Sequence, residues 1–128
     1  MKRALDGVRV LDLTHMLSGP YGSMILADLG AETIKVEPLQ GEDTRKLLAK
    51  DVKNSLDGMG AYYLTLNRNK KSVAIDLKSA RGIELFQRLV ERADIVLSNF
   101  AAGVPQRLGL DFATGVKLAG ARFTVMKG

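Results

Sequence analysis

The sequence predicts an α/β domain built on a parallel sheet of four or five strands with flanking helices. Two observations carry that expectation. Short β-rich apolar runs recur at Val8 to Leu13, Glu32 to Glu37, Ser72 to Leu77 and Asp94 to Asn99. Between the first and second runs, and between the third and fourth, apolar residues repeat at helical spacing. Strand, helix and strand in that order make a βαβ unit, whose crossover is almost always right-handed.

Val8 to Leu13 reads as a buried strand. His15 to Pro20 then forms a polar turn, and Gly19-Pro20 begins a helix, with Pro20 suited to the first helical position, where its missing N–H goes unnoticed. Met24, Ile25, Leu26 and Leu29 give that helix an apolar side, and Gly30 ends it. Glu32 to Glu37 is the second strand, stopped by Pro38. Leu39 to Gly60 is a long polar connection, with one helix expected around Asp43 to Lys53. Ala61 to Asn67 predicts a helical turn or two, and Ser72 to Leu77 the third strand. Ser79 is placed to cap a helix carrying Ile83, Phe86, Leu89 and Val90, with Glu84 four residues before Arg88. Asp94 to Asn99 is the fourth strand, followed by a short helix from Val104 to Leu108 that Gly109 ends. Gly115 to Gly128 contains one β-rich run, Arg122 to Val125.

Composition narrows the function. The chain has 128 residues, which suits one domain. There is no apolar run of membrane-spanning length, and acidic and basic residues interrupt the N-terminus where a signal peptide would be apolar. Cysteine is absent, which rules out disulfides and thiolate metal sites and fits a cytoplasmic protein. The net charge of +5 is spread along the chain, and no aromatic residues interleave with the basic ones, so nucleic acid is not the expected partner. A single histidine precludes histidine-rich metal sites. Neither a phosphate-binding G-x-x-x-x-G-K-[ST] loop nor a G-x-S-x-G nucleophile elbow occurs.

Candidate chemistry therefore gathers at strand ends, where open parallel sheets bind ligands. His15 through Pro20 follows the first strand, Pro38 the second, and Asn99 to Gly103 the fourth. The run Asn67 to Ser72 reads either as a solvated charged turn or as a phosphate contact. His15 reads as a turn residue rather than an acid or base, and Asp43 with Arg45 as a surface pair. Asp28 and Glu37 read as structural, Gly19 and Pro20 as shapers of the turn, and Phe100 as either core or pocket.

Read in order, several segments resemble the N-terminal part of the family III CoA-transferases, also called the CaiB/BaiF family. They are Leu5 to Leu13, Ser18 to Tyr21, Leu26 to Pro38, Gly41 to Arg45, Asn67 to Ser72, Asp76 to Lys78, Ala93 to Phe100 with Gly103, and Arg107 to Leu110. The resemblance implies an incomplete Rossmann-like sheet over residues 1–110, completed in the family by later sequence, and a tail over 111–128 in which the family pattern is lost. It also implies coenzyme A or an acyl-CoA as substrate, with a small carboxylic acid as the other reactant and no prosthetic group or metal. A homodimer, or self-association through uncovered apolar surface, follows from the same resemblance.

Residue by residue, the resemblance assigns Met16 and Leu17 to the CoA site after the first strand, and Ile75 to an apolar contact on the adenine side. It assigns Asn99, Phe100 and Val104 to the loop lining the CoA pocket, and Arg107 to a CoA phosphate, which a guanidinium can grip with two hydrogen bonds. Leu17 stands where formyl-CoA transferase has glutamine, and Pro38 where it has an arginine that contacts CoA. The family's nucleophilic aspartate has no counterpart among the aspartates of this sequence, so no catalytic residue is assigned and a truncated product is expected. Two alternatives stand beside CoA transfer: a 2-methylacyl-CoA racemase-like protein, and a non-catalytic module that binds CoA or a nucleotide or is vestigial.

Overall fold

The computed structural model describes residues 1–108 and 122–125. The elements are β1 (Arg9–Asp12), α1 (Ser18–Asp28), β2 (Glu32–Glu37), a 3-10 turn (Asp43–Lys46), β3 (Ser55–Leu56), β4 (Met59–Gly60), α2 (Ala61–Leu66), β5 (Lys70–Ala74), α3 (Ala80–Val90), β6 (Ile95–Ser98), α4 (Val104–Arg107) and β7 (Arg122–Val125). Five strands form one sheet in the order β5-β2-β1-β6-β7, and every neighbouring pair is parallel. Counting only these five, the order is 3-2-1-4-5, that of the Rossmann fold. The chain builds outward from β1 through β2 to β5, then crosses back to β6. The strand order therefore reverses between β1 and β6, where a crevice opens at the carboxyl ends.

β2 forms over the predicted residues, bounded by Gly30 at φ 112° and by Pro38. The left-handed φ of Gly30 lets the chain pass from α1 to β2 through only three residues. Gly19 serves close approach instead: a Cβ there would lie 2.3 Å from the Thr14 Cβ. Ser79 caps α3 as expected, accepting the Gly82 N–H at 3.0 Å.

Three local expectations are corrected. The third strand of the parallel sheet runs Lys70–Ala74, two residues earlier than predicted, because Lys70 pairs with Thr33 and Ala74 with Glu37. Lys70 and Ser72 tolerate a sheet position because buried Asp12 and Glu37 await them, and Lys71 points to solvent. The helix expected around Asp43 to Lys53 shrinks to the 3-10 turn, since Leu48 adopts φ 63° and Arg45 is drawn to Glu37. On α3, Glu84 pairs with Arg81 at 2.7 Å rather than with Arg88. The expected stop at Gly109 lies outside the described residues.

The sheet's two faces differ. Leu11, Leu13, Val36, Ile75 and Val96 pack against Phe86 and Val90 of α3 in one apolar cluster. On the α1 face Val10, Ala31 and Leu97 form a smaller cluster. Strand alternation turns Asp12, Lys35 and Glu37 toward that same face, and all three are buried.

Candidate functional site at the carboxyl edge of the sheet

The turn after β1 is held by side chains from several elements. Asp12, at the end of β1, accepts the Thr14 N–H at 2.9 Å and the Thr14 hydroxyl through Oδ1. Its Oδ2 accepts Ser23 Oγ of α1 at 2.6 Å and Lys70 Nζ of β5 at 2.9 Å. Burial alone would raise the Asp12 carboxyl, but the Lys35 and Lys70 charges and the two hydroxyls hold it below its ordinary value. The Lys70 ammonium uses its other donors on the Pro20 carbonyl and Asn67 Oδ1, so this buried cation has a full set of partners. Burial lowers the Lys70 pKa, against the pull of Asp12.

The next two amides are held in the same way. The His15 N–H donates to Asn99 Oδ1 at 2.9 Å, and Asn99 Nδ2 donates back to the His15 carbonyl at 2.9 Å. One amide side chain thus continues the β1–β6 pairing past the end of the strands. The Met16 N–H donates to Glu42 Oε1 at 3.0 Å. His15 serves as the expected turn residue, and burial lowers its pKa so that the neutral imidazole is favoured at neutral pH.

A second cluster fixes the loop after β2. The Arg45 guanidinium grips Glu37 with two hydrogen bonds of 2.7 Å each. Tyr63, Ser72 and the backbone N–H of Glu42 donate to the same carboxylate. Burial works against its charge, yet these bonds, that from Arg45 foremost, bring Glu37 down to about 2. The surface pair expected between Asp43 and Arg45 does not form; Arg45 turns inward, and Asp43 lies 3.9 Å from Lys46.

Above these clusters a cleft of about 370 Å³ opens at the carboxyl ends of β1, β2, β5 and β6. His15, Pro38, Ile75, Lys78, Phe100 and Leu108 are among the residues that line it. The His15 and Phe100 rings stand 5.3 Å apart at 34° and form one wall. This is the crevice that the reversal of strand order predicts.

Of the residues singled out in the sequence, Ile75 and Phe100 meet in this cleft. Asn99 lies behind them as the clasp on His15. Met16 and Leu17 are each 57% exposed beside the turn and do not line the cleft. Val104 is half-buried on α4, and Arg107 is exposed on the same short helix, next to the cleft-lining Leu108. In the basic run Arg68 pairs with Asp28 at 2.6 Å and Lys71 with Glu32 at 2.6 Å on the exposed side, as in a solvated charged turn, while Lys70 turns inward to Asp12. Asp28 holds Arg68, and Glu37, which also borders the cleft, holds Arg45.

Sequence reasoning missed Lys78 at the cleft, whose signal was a lysine just beyond the third strand. It also missed the buried set Asp12, Lys35, Glu42 and Lys70. The signal there was the alternation of apolar and charged residues from Ile34 to Glu37 in β2, unusual for a strand covered on both faces. Among the described residues no helix is long and apolar enough to cross a membrane, and no group of three His, Asp or Glu side chains is placed to hold a metal ion.

Comparison with known proteins adds the following. The model of a family described as CoA-transferase family III matches residues 5–119. Succinyl-CoA:glutarate CoA-transferase of Mus musculus is 41% identical over 118 residues, covering 91% of this chain and 26% of that protein. Acetyl-CoA:oxalate CoA-transferase of Acetobacter aceti is likewise 41% identical over 118 residues, covering 91% of this chain and 29% of that protein. Among solved structures, a CaiB/BaiF family protein from Brucella suis superposes with a TM-score of 0.81 at 38% identity, over 89% of this chain and 30% of that one. The chain thus spans roughly a quarter of the length of the curated relatives it matches.

Proposed function

The chain belongs to CoA-transferase family III, and on that premise we propose that it supplies the CoA-binding wall of an enzyme moving CoA between an acyl-CoA and a carboxylic acid. The observation that carries this reading is the cleft at the carboxyl edge of the sheet. His15 and Phe100 offer an aromatic wall of two inclined rings and Ile75 an apolar floor, which suit the adenine and pantetheine parts of the ligand. Lys78 lies at the cleft and Arg107 beside it, two cations for the phosphates of CoA. Asn99 acts by holding His15, and Val104 by seating α4; Met16 and Leu17 meet the ligand outside the cleft itself.

The nucleophilic carboxylate that the family resemblance implies is not among the aspartates of residues 1–128. In this reading the 128 residues bind CoA and do not transfer it by themselves. The transferases among the relatives favour transfer over racemisation. The exposed apolar residues of α1, Tyr21 and Ile25 among them, support self-association, as in a homodimer. No prosthetic group, metal, membrane or nucleic acid enters the proposed chemistry, and a reducing cytoplasmic setting suits a chain without cysteine.

Isothermal calorimetry with CoA tests the reading on the full chain. Saturable binding, weakened about tenfold by Lys78→Ala and by Arg107→Ala, is the expected result, since each variant removes one charge-assisted phosphate contact. Heats no larger than dilution with the folded chain would overturn it.

A further inference from the structure

Three consecutive backbone amides at the end of β1, those of Thr14, His15 and Met16, are each bonded to a side-chain oxygen, from Asp12, Asn99 and Glu42 in turn. In a Rossmann-type sheet this turn ordinarily offers its amides to a phosphate group. Here they are already occupied. Of the three holders Glu42 alone comes from the long connection after β2; it lies outside any helix or strand, just before the 3-10 turn.

We propose that Glu42 is a positioning residue: its carboxylate sets the conformation of the turn His15 to Leu17 and so presents the ligand-facing side of the cleft. The proposal rests on the CoA reading for the identity of the ligand and on geometry for the rest. Met16 sits at φ 67°, a left-handed conformation sparsely populated by residues with a side chain. Such a conformation persists only where the surroundings over-determine it, and the bond from Met16 N–H to Glu42 is the contact that does so.

Glu42 is itself rigidly placed. It is 3% exposed, and its own N–H donates to Glu37 Oε2 at 2.9 Å. Glu37 in turn is gripped by Arg45 and Tyr63. The second Glu42 oxygen stands 2.9 Å from Lys35 Nζ, in an ion pair that lacks hydrogen-bond alignment. Lys35 then donates to the Thr14 carbonyl at 2.8 Å. The carboxylate is thereby fixed from the β2 side and reaches the β1 turn from both ends of Thr14–Met16. Release of Met16 would let the peptide before it rotate, and His15 would move relative to Phe100. The phosphates of the ligand, finding the Thr14, His15 and Met16 amides occupied, fall to the side-chain cations.

Two readouts on the full chain separate this proposal from the CoA reading: amide hydrogen exchange at Met16, followed by NMR, and CoA affinity by calorimetry. In Glu42→Ala the Met16 amide is expected to exchange about tenfold faster or more and CoA affinity to fall about tenfold, while Glu42→Gln, whose side-chain oxygen can accept the same bond, recovers most of both. Unchanged Met16 protection in Glu42→Ala, or Glu42→Gln as impaired as Glu42→Ala, overturns the proposal. If Glu42→Ala does not fold, Glu42→Gln decides it: parental protection at Met16 supports the role and lost protection refutes it. If the parent chain binds no CoA, the CoA reading falls alone, and Met16 exchange still decides whether Glu42 sets the turn.

Discussion

The α3 face of the sheet is apolar, with Leu11, Val36 and Val96 set against Phe86 and Val90. The α1 face starts the same way at Val10 and Leu97, but toward the carboxyl ends it carries Asp12, Lys35, Glu37 and their partners Glu42, Arg45 and Lys70. Both faces are buried, yet they hold the sheet by different physics. Apolar contacts are additive and forgiving: a methylene lost in one place costs what that methylene contributed plus a cavity. Buried charges are conditional, because each is tolerable only while its partner stands in place. The ionic half lies directly beneath the turn that faces the cleft. The contrast suggests that the apolar face supplies cohesion and the ionic face supplies position.

The largest expected break of this comparison is Asp12→Ala. It leaves Lys70 and the Thr14 and Ser23 groups without their acceptor in a site where Asp12 is fully buried. We expect a loss of about 4 kcal/mol in urea unfolding, a large share of the stability of a domain this size. Phe86→Ala on the other face is expected to cost about 3 kcal/mol, and Phe86→Leu about 1 kcal/mol, since the packing there is graded by volume. If Asp12→Ala cost less than Phe86→Leu, the two faces would not differ in kind.

Acid sharpens the comparison because it touches one face only. Glu37 is 3% exposed, and its carboxyl stands at about 2 in the folded chain against an ordinary value of 4.5. A carboxyl whose pKa is lowered by folding contributes stability that is fully present above the unfolded value and is lost as pH falls toward the folded one. Stability is therefore expected to drop by about 3 kcal/mol between about pH 4.5 and pH 2 from this group. Asp12, also lowered, adds to the loss in the same direction. Chemical denaturation at stepped pH would test this, and Glu37→Gln should flatten the slope. An acid-insensitive parent would contradict the role given to the Arg45–Glu37 pair.

The two faces were also unequally legible in the sequence. β2 could be read to the residue because β-branched and apolar positions alternate between a glycine and a proline. α3 could be read from its apolar spacing and its serine cap. β5 was read two residues late because Lys70 and Ser72 look like part of a charged turn. Their partners Asp12 and Glu37 lie 58 and 35 positions away in the chain, and local pattern carries no trace of such a distance. The same holds at the candidate site. Phe100 could be picked out at a strand end and Ile75 through the family resemblance, whereas Asn99, picked as a lining residue, sits behind the cleft as a clasp on a residue 84 positions earlier. Hydrophobic burial is written in periodicity. Buried ion pairing is written in pairs of distant positions, and one sequence shows each member only as a charge.

A small effect on stability tests the comparison most directly. Lys35 and Glu42 form a buried ion pair at 2.9 Å, with side chains 1% and 3% exposed. Removing Glu42 alone strands a buried ammonium beside Lys70 and is expected to cost about 3 kcal/mol. Replacing both together, as Lys35→Met with Glu42→Leu, keeps the remaining Asp12–Lys70 pair charge-balanced and restores apolar volume. Such exchanges are often close to neutral, but here two backbone bonds, to the Thr14 carbonyl and from the Met16 N–H, are also lost. The net cost in urea unfolding is therefore expected to stay within about 1–2 kcal/mol. If cohesion and position are separate tasks, this double variant folds, while its Met16 amide loses protection as in Glu42→Ala. A double variant as unstable as Glu42→Ala would mean that the ionic face contributes cohesion after all. One that kept parental protection at Met16 would mean that the turn is positioned without it.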